Sequence, residues 1–227
     1  MGNSEYGRKH VIISLILNLI VFILSVMASI MMFTGFKFMH GYEPVLETRS
    51  IGMLRFFTVD SNIFAGIAAL ILAIYEIKLL KGILDEIDTK IYVLKLMSAT
   101  SVGLTFIVVF TYLGPISKGG IPSMLMNSNL FFHLIIPILS MASFVIFERT
   151  NKITFKNSLY GMLPTFLYEI YYLGNVFIHS ENGVVSPIYD WYWFVQNGVW
   201  TSVIVAPMML LITYAITFIL WRLNKKK

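Results

Sequence analysis

Arg55-Phe56-Phe57-Thr58-Val59-Asp60-Ser61-Asn62 opens an otherwise apolar run that continues to about Leu80. The run is long enough to cross a bilayer core of roughly 30 Å. Four polar side chains nevertheless stand at its mouth. A carboxylate at the centre of a spanning helix costs roughly 2.5–3.5 kcal/mol on insertion scales, and Asn is also unfavourable there. On a helix, Thr58, Ser61, Asn62 and Ala65 share one face, which Gly66, Ala69 and Ala73 continue at i+3/i+4 spacing. Such a small, polar stripe suits close helix packing around a site better than contact with lipid.

The rest of the chain agrees with a membrane setting. Of 227 residues, 57% are apolar and 13% charged, with a mean hydropathy of +0.77. Soluble domains are about 45–50% apolar and about 25% charged. The expected fold is an all-α integral-membrane bundle filling one transmembrane domain, 1–227, with no room for a separate soluble domain. Cys is absent, which excludes disulfides, thiolate catalysis and zinc–thiolate sites. The net charge of +5 raises nucleic acid as a partner, but the basic residues flank apolar spans. Membrane orientation accounts for them, and nucleic acid is not expected.

Six spans are expected, at roughly 11–33, 54–80, 91–113, 129–147, 157–178 and 198–221. The first follows Arg8-Lys9-His10 and resembles a signal peptide, with a weak small-x-small site at Val26-Met27-Ala28; its length favours an uncleaved span. Gly114-Pro115 is read as the stop of the third. Connections are expected at Gly35–Leu54 (with Glu43 and Pro44), around Asp85-Glu86, at Ser117–Ser128, at Glu148–Lys156 and at Ser180–Asn197. No internal repeat or low-complexity segment is visible. Thirteen of the seventeen Lys and Arg residues fall on one side of this arrangement. Lys37, Arg49, Arg55 and Lys118 fall on the other. The positive-inside rule then puts both termini in the cytoplasm, in a multi-pass protein of the cell membrane.

In that topology Thr58 and His133 both begin outside-to-inside spans and lie roughly 6–7 Å below the outer boundary at 1.5 Å per residue. An intramembrane His is a candidate base or proton relay, or else a neutral imidazole bonded between helices. A Thr hydroxyl usually bonds its own i−4 carbonyl; as a nucleophile it needs a nearby base, and His133 is the only imidazole at suitable depth. Asp60 is a candidate orienting group for His133, or a partner for Arg55. Asn62 and Asn129 lie at the right depth to donate to an oxyanion, with Ser61 as a neighbouring polar group. Glu169 near the midplane is either a relay or a protonated acid bonded to a neighbouring Tyr or Thr. Pro187-Ile188-Tyr189-Asp190-Trp191-Tyr192-Trp193 reads as an interfacial aromatic belt, or as a lid from which Asp190 reaches the site. His10, His40 and His179 have no metal-ligand spacing, so no metal site and no cofactor are expected. G-x-S-x-G, H-E-x-x-H and the rhomboid pattern are all missing.

Phe57-Thr58-x-x-Ser61-Asn62, His133 followed by Pro137, and Pro187-x-x-Asp190 together resemble one family across most of the chain. It is the androgen-induced gene 1 / androgen-dependent TFPI-regulating protein family, in its short bacterial form. Animal members are integral-membrane hydrolases that cleave fatty acid esters of hydroxy fatty acids with a Thr and a His. The resemblance implies Thr58 as nucleophile, His133 as base, a fatty acyl ester from the membrane as substrate, and a bacterial cytoplasmic membrane as location. The residues just after Thr58 differ from the animal pattern. Two other readings stay open: a small proton- or ion-coupled transporter using Asp60, His133 and Glu169, and a non-catalytic membrane scaffold.

Overall fold

Long apolar runs in lipid must satisfy their backbone groups internally, which a helix does within its own segment, and 74% of the chain is helical. The computed structural model describes residues 2–42 and 46–225, with side chains from Gly7 onward. Six helices organise it: α1 (Gly2–Thr34), α2 (Phe57–Leu80), α3 (Thr89–Val108), α4 (Ile136–Ile146), α5 (Leu163–Ile178) and α6 (Ser202–Asn224). Five helices are long and apolar enough to cross a membrane: Gly7–Thr34, Phe57–Leu80, Thr89–Ile116, Ser128–Ile146 and Val199–Asn224. The expected fifth span differs. A short helical turn, Phe155–Ser158, passes through 3₁₀ geometry at Leu159–Met162 before α5 begins. The break has a packing cause. A Cβ on Gly161 would sit 2.6 Å from Thr217 Cγ2 and 3.2 Å from Thr100 Oγ1, so the segment crosses α3 and α6 at a distance only glycine allows.

Gly114-Pro115 does not stop the third span. Residues Val109–Leu113 widen into a π-turn, with Gly114 N–H donating to Val109 O, and the helix continues to Ile116. The same device recurs in the fourth span, where Phe131–Ile135 form a π-turn and Ile136 N–H donates to Phe131 O. Each widened turn ends two residues before a proline, Pro115 or Pro137. Proline lacks an N–H and crowds the carbonyl four residues back, and the wider turn relieves that crowding.

Contacts gather at two ends of the bundle. At what we call the terminal end, His10 meets Phe147 edge-on, Lys152 pairs with Glu86 at 2.8 Å, and Trp221 Nε1 donates to Ile153 O. At the opposite, connector end, Asn127 Oδ1 accepts the Phe38 and Met39 amides at 2.8 Å each. The 35–54 connection carries a 3₁₀ turn at Ser50–Arg55, and Arg49 fills the space above Gly35, which sits at φ +71°. Glu43 and Pro44 of that connection lie outside the described residues. The last connection contains a two-residue antiparallel pair, β1 (Ser180–Glu181) and β2 (Val184–Val185), turned by Asn182-Gly183 with φ of 53° and 80°. Positive φ at both central residues suits a tight hairpin and explains the Asn-Gly choice.

The small stripe of α2 is buried as expected. Ala65, Ala69 and Ala73 are shielded, and a Cβ on Gly66 would collide with Ser25 of α1. Ser25 Oγ donates to Asn62 O at 2.8 Å, so the two helices approach through hydroxyl-to-backbone contact.

Candidate functional site

Thr58 lies in the first turn of α2 and is buried. It forms part of the wall of a narrow cavity of ≈ 60 Å³, enclosed by α2, α3, α5 and α6 and roofed by the last connection. Leu104, Thr105 and Val108 line it from α3, Glu169 and Tyr172 from α5, Ala206 and Met209 from α6, and Tyr192, Phe194 and Val195 from above. The walls are almost wholly apolar. The few polar groups converge near the start of α2, as in a ligand site whose orientation is set by a small number of hydrogen bonds.

Those hydrogen bonds radiate from the first turn. Phe57 N–H donates to the Tyr192 hydroxyl at 2.7 Å. The Thr58 amide, the Thr58 hydroxyl and the Tyr168 hydroxyl face the same phenol oxygen. The first amides of a helix have no intrahelical partner, so Tyr192 supplies an acceptor where the sequence offers no side-chain cap. Burial pushes the Tyr192 phenol up to about 12, which keeps it an O–H donor at any physiological pH. Tyr168 is held in turn, donating to Arg55 O at 2.5 Å and accepting from Trp191 Nε1 at 3.1 Å.

Ser61 and Asn62 serve the scaffold. Ser61 Oγ contacts Thr58 O and Thr105 Oγ1, both at 3.1 Å, which ties α2 to α3. Asn62 Nδ2 donates to Thr58 O at 2.7 Å and to Phe132 O at 3.0 Å. Its two N–H groups are thereby spent on carbonyls, so Asn62 is a strut and not the expected oxyanion donor. Asn129 is buried in the turn Ser128–Leu130, a turn before His133, and does not line the Thr58 cavity.

His133 sits in the middle of the π-turn, fully buried. Its Nδ1 lies 2.5 Å from Met124 O. A carbonyl only accepts, so Nδ1 carries the proton and Nε2 presents a lone pair. That Nε2 has no hydrogen-bond partner among the described residues. The expected Thr58–His133 hydrogen bond is therefore not formed, and His133 does not line the Thr58 cavity. What joins the two is Asn62, which holds the carbonyls of Thr58 and Phe132 on one amide nitrogen.

Three further expectations are resolved. Asp60 does not orient His133, because Met124 O takes that role. Nor does Asp60 pair with Arg55, whose guanidinium lies over the Phe56 and Trp191 rings at 4.8 and 5.8 Å. Asp60 instead lines a groove between α2 and α5 with Phe64, Pro164 and Tyr171. Glu169 does share the Thr58 cavity, and its Oε1 is buried without a partner among the described residues. Asp190 does not reach the cavity. Its carboxylate accepts the Tyr172 hydroxyl and the Phe194 and Val195 amides, and so fixes the loop that carries Tyr192. The 187–193 segment thus reaches the cavity roof through the Tyr192 phenol, beside Phe194 and Val195, which an aromatic-belt reading passes over. The available signal was Tyr192, an aromatic with a polar tip between two Trp residues.

No family model, curated protein or solved structure matched the chain.

Proposed function

We propose that the chain is an intramembrane lipid-ester hydrolase with Thr58 as nucleophile and His133 as base. It is taken to span the membrane of a bacterial cell six times, with both termini cytoplasmic. The Lys and Arg distribution supports that orientation. The joined helical run from Phe155 to Ile178 is about 36 Å long at 1.5 Å per residue, sufficient for a sixth crossing.

The observation that carries the reading is the position of Thr58: a hydroxyl in an apolar cavity, at a helix N-terminus, under a phenol held by a backbone amide. An acyl chain fits the apolar walls. The Thr58 hydroxyl attacks the ester carbonyl, and the Tyr192 O–H with the first amides of α2 supplies donors for the developing oxyanion. His133 accepts the Thr58 proton through Nε2 and passes it to the leaving alcohol. Because Nε2 is not hydrogen-bonded to Thr58 in this state, the transfer uses rotation of the Thr58 side chain or one bridging water, within the looseness common to unliganded sites. The Met124 carbonyl fixes the imidazole tautomer, as a carboxylate does in a triad. Purified protein incubated with a fluorophosphonate probe and a branched fatty acid ester tests this. Turnover and labelling that survive both Thr58→Ala and His133→Ala refute it.

Glu169 favours a second reading, proton-coupled transport, because this half-buried carboxyl faces the same cavity and its Oε1 has no partner among the described residues. Proteoliposome flux that needs Glu169 but not Thr58 would select it.

A further inference from the structure

At the terminal end, away from the Thr58 cavity, three ionisable side chains meet inside the bundle. Lys95 of α3 is 0% exposed, while Glu76 of α2 and Glu148, just beyond α4, are each 3% exposed. Lys95 Nζ lies 3.8 Å from Glu148 Oε1. The same oxygen accepts from Ser143 Oγ at 2.6 Å and from Asn18 Nδ2 at 3.1 Å. Glu76 faces Ser14 and Asn18 of α1, Lys95, and Glu148.

Two features of this junction call for one more positive charge. The first is the count: two carboxylates against one ammonium leave a net negative charge in a buried place, which is strongly unfavourable. Lys152, a further cation at this end, is occupied by Glu86 and the Ile87 carbonyl. The second is a set of unpaired atoms. Asn18 Oδ1, Glu76 Oε2 and Glu148 Oε2 are buried acceptors with no donor among the described residues, and Lys95 Nζ has no hydrogen-bond acceptor. The ammonium stands 3.8 Å from Glu148 Oε1 and donates to none of the three, so these oxygens lack donors where they stand. Among the described residues no group of three His, Asp or Glu side chains is arranged to hold a metal ion. A proton fits the deficit.

The donors indicate which carboxyl keeps its charge. The Asn18 and Ser143 donors and the Lys95 ammonium converge on Glu148 Oε1, the pattern of an ionised carboxylate. We propose that Glu76 holds a proton at neutral pH, making this junction a proton-binding site that fastens α1, α2, α3 and the end of α4. The proton turns the orphaned Glu76 Oε2 into a donor and lets a single ammonium neutralise Glu148. Burial pushes the Glu148 carboxyl up, while Lys95, Ser143 and Asn18 pull it back. The Tyr92 phenol of α3, itself near Glu86, also faces the junction; from α1 the neutral Ser14 and Asn18 face it.

The folded chain then binds one proton more than the unfolded chain above the ordinary carboxylate range. Stability is full below that range and falls as pH rises. The test uses the full chain in detergent micelles, comparing wild type with Glu76→Gln, which mimics the protonated acid, and with Glu169→Gln as control. Infrared difference spectra at neutral pH are expected to contain a protonated-carboxyl band that Glu76→Gln removes and Glu169→Gln leaves. Thermal unfolding from about pH 6 to about pH 9 is expected to show a falling midpoint in wild type and a flat, equal or higher one in Glu76→Gln. Absence of a Glu76-dependent band overturns the proposal. So does a Glu76→Gln chain that is as unstable at about pH 6 as Lys95→Met, or that does not fold. Hydrolase activity enters neither readout, so failure here leaves the Thr58 reading untouched.

Discussion

The two ends of the bundle handle buried polarity in opposite ways. At the connector end, polar atoms are mostly neutral hydroxyls tied to backbone: Tyr192 to Phe57 N–H, Tyr168 to Arg55 O, Ser61 to Thr58 O. They surround a cavity. At the terminal end the polar atoms belong to ionisable groups, Glu76, Lys95 and Glu148, packed between helices around the Lys95–Glu148 ion pair. Neutral groups can leave space between them without a large electrostatic penalty, whereas opposite charges in low dielectric must stay close to compensate their lost hydration. The first arrangement suits admitting a substrate. The second suits holding helices in register.

The largest expected effect breaks the comparison on the cavity side. Thr58→Ala should lower ester turnover by about 10⁴-fold or more, as loss of a nucleophile does. Its unfolding midpoint should barely change, since the Thr58 hydroxyl is not a bridge between helices; rate and melting measurements on the same preparation check both. On the charged side, Lys95→Met leaves the buried Glu148 carboxylate without its cation. It should destabilise the fold by about 3–5 kcal/mol, seen as a collapsed midpoint in detergent. Equal tolerance of both substitutions would erase the distinction between the two ends.

How far these two ends were readable from sequence differs for a physical reason. Thr58 stood out because hydroxyl, carboxylate and amide side chains interrupt an apolar run at one mouth. The small stripe below it correctly announced the tight α1–α2 contact at Gly66 and Ser25. Lys95 was legible only as one of the basic residues that set orientation, Glu148 only as the start of a connection, and Glu76 was absorbed into the apolar run. The helical rise of α3 carries Lys95 inward from Thr89 to a fully buried position. Side-chain partners from α1, Asn18 above all, make that position tolerable, and no local pattern reveals a pairing across 130 residues. The Met124–His133 bond was equally hidden, because a backbone carbonyl leaves no mark on a sequence. Most helix ends were legible within a few residues; α1 starts at Gly2, well before the expected 11, and the 3₁₀ break at Leu159–Met162 depends on what Gly161 packs against.

Two smaller predictions sharpen the contrast. Asp190→Asn weakens acceptors for the Tyr172 hydroxyl and the Phe194 and Val195 amides. It should cost about 1.5–3 kcal/mol and raise KM more than it lowers kcat, because the cavity roof loosens before the bundle does; titrating the ester substrate separates the two. Tyr192→Phe removes one phenol oxygen and leaves the first α2 amide to be met by solvent or substrate. A stability loss of about 0.5–1.5 kcal/mol is expected, together with a lower kcat if the phenol serves the oxyanion. An unchanged kcat would restrict Tyr192 to a capping role.

The widened turns at Val109–Leu113 and Phe131–Ile135 each hold one residue more than a regular α-helical turn would need. Deleting a single amino acid there would restore ideal winding and leave the later side chains of that span facing nearly as they do now. The same deletion in a regular stretch of the span has no wide turn to absorb it and would swing every later side chain by about 100° around the axis. The widened turns are therefore places inside the bundle where chain length can change without exchanging the lipid-facing and bundle-facing surfaces of whole segments.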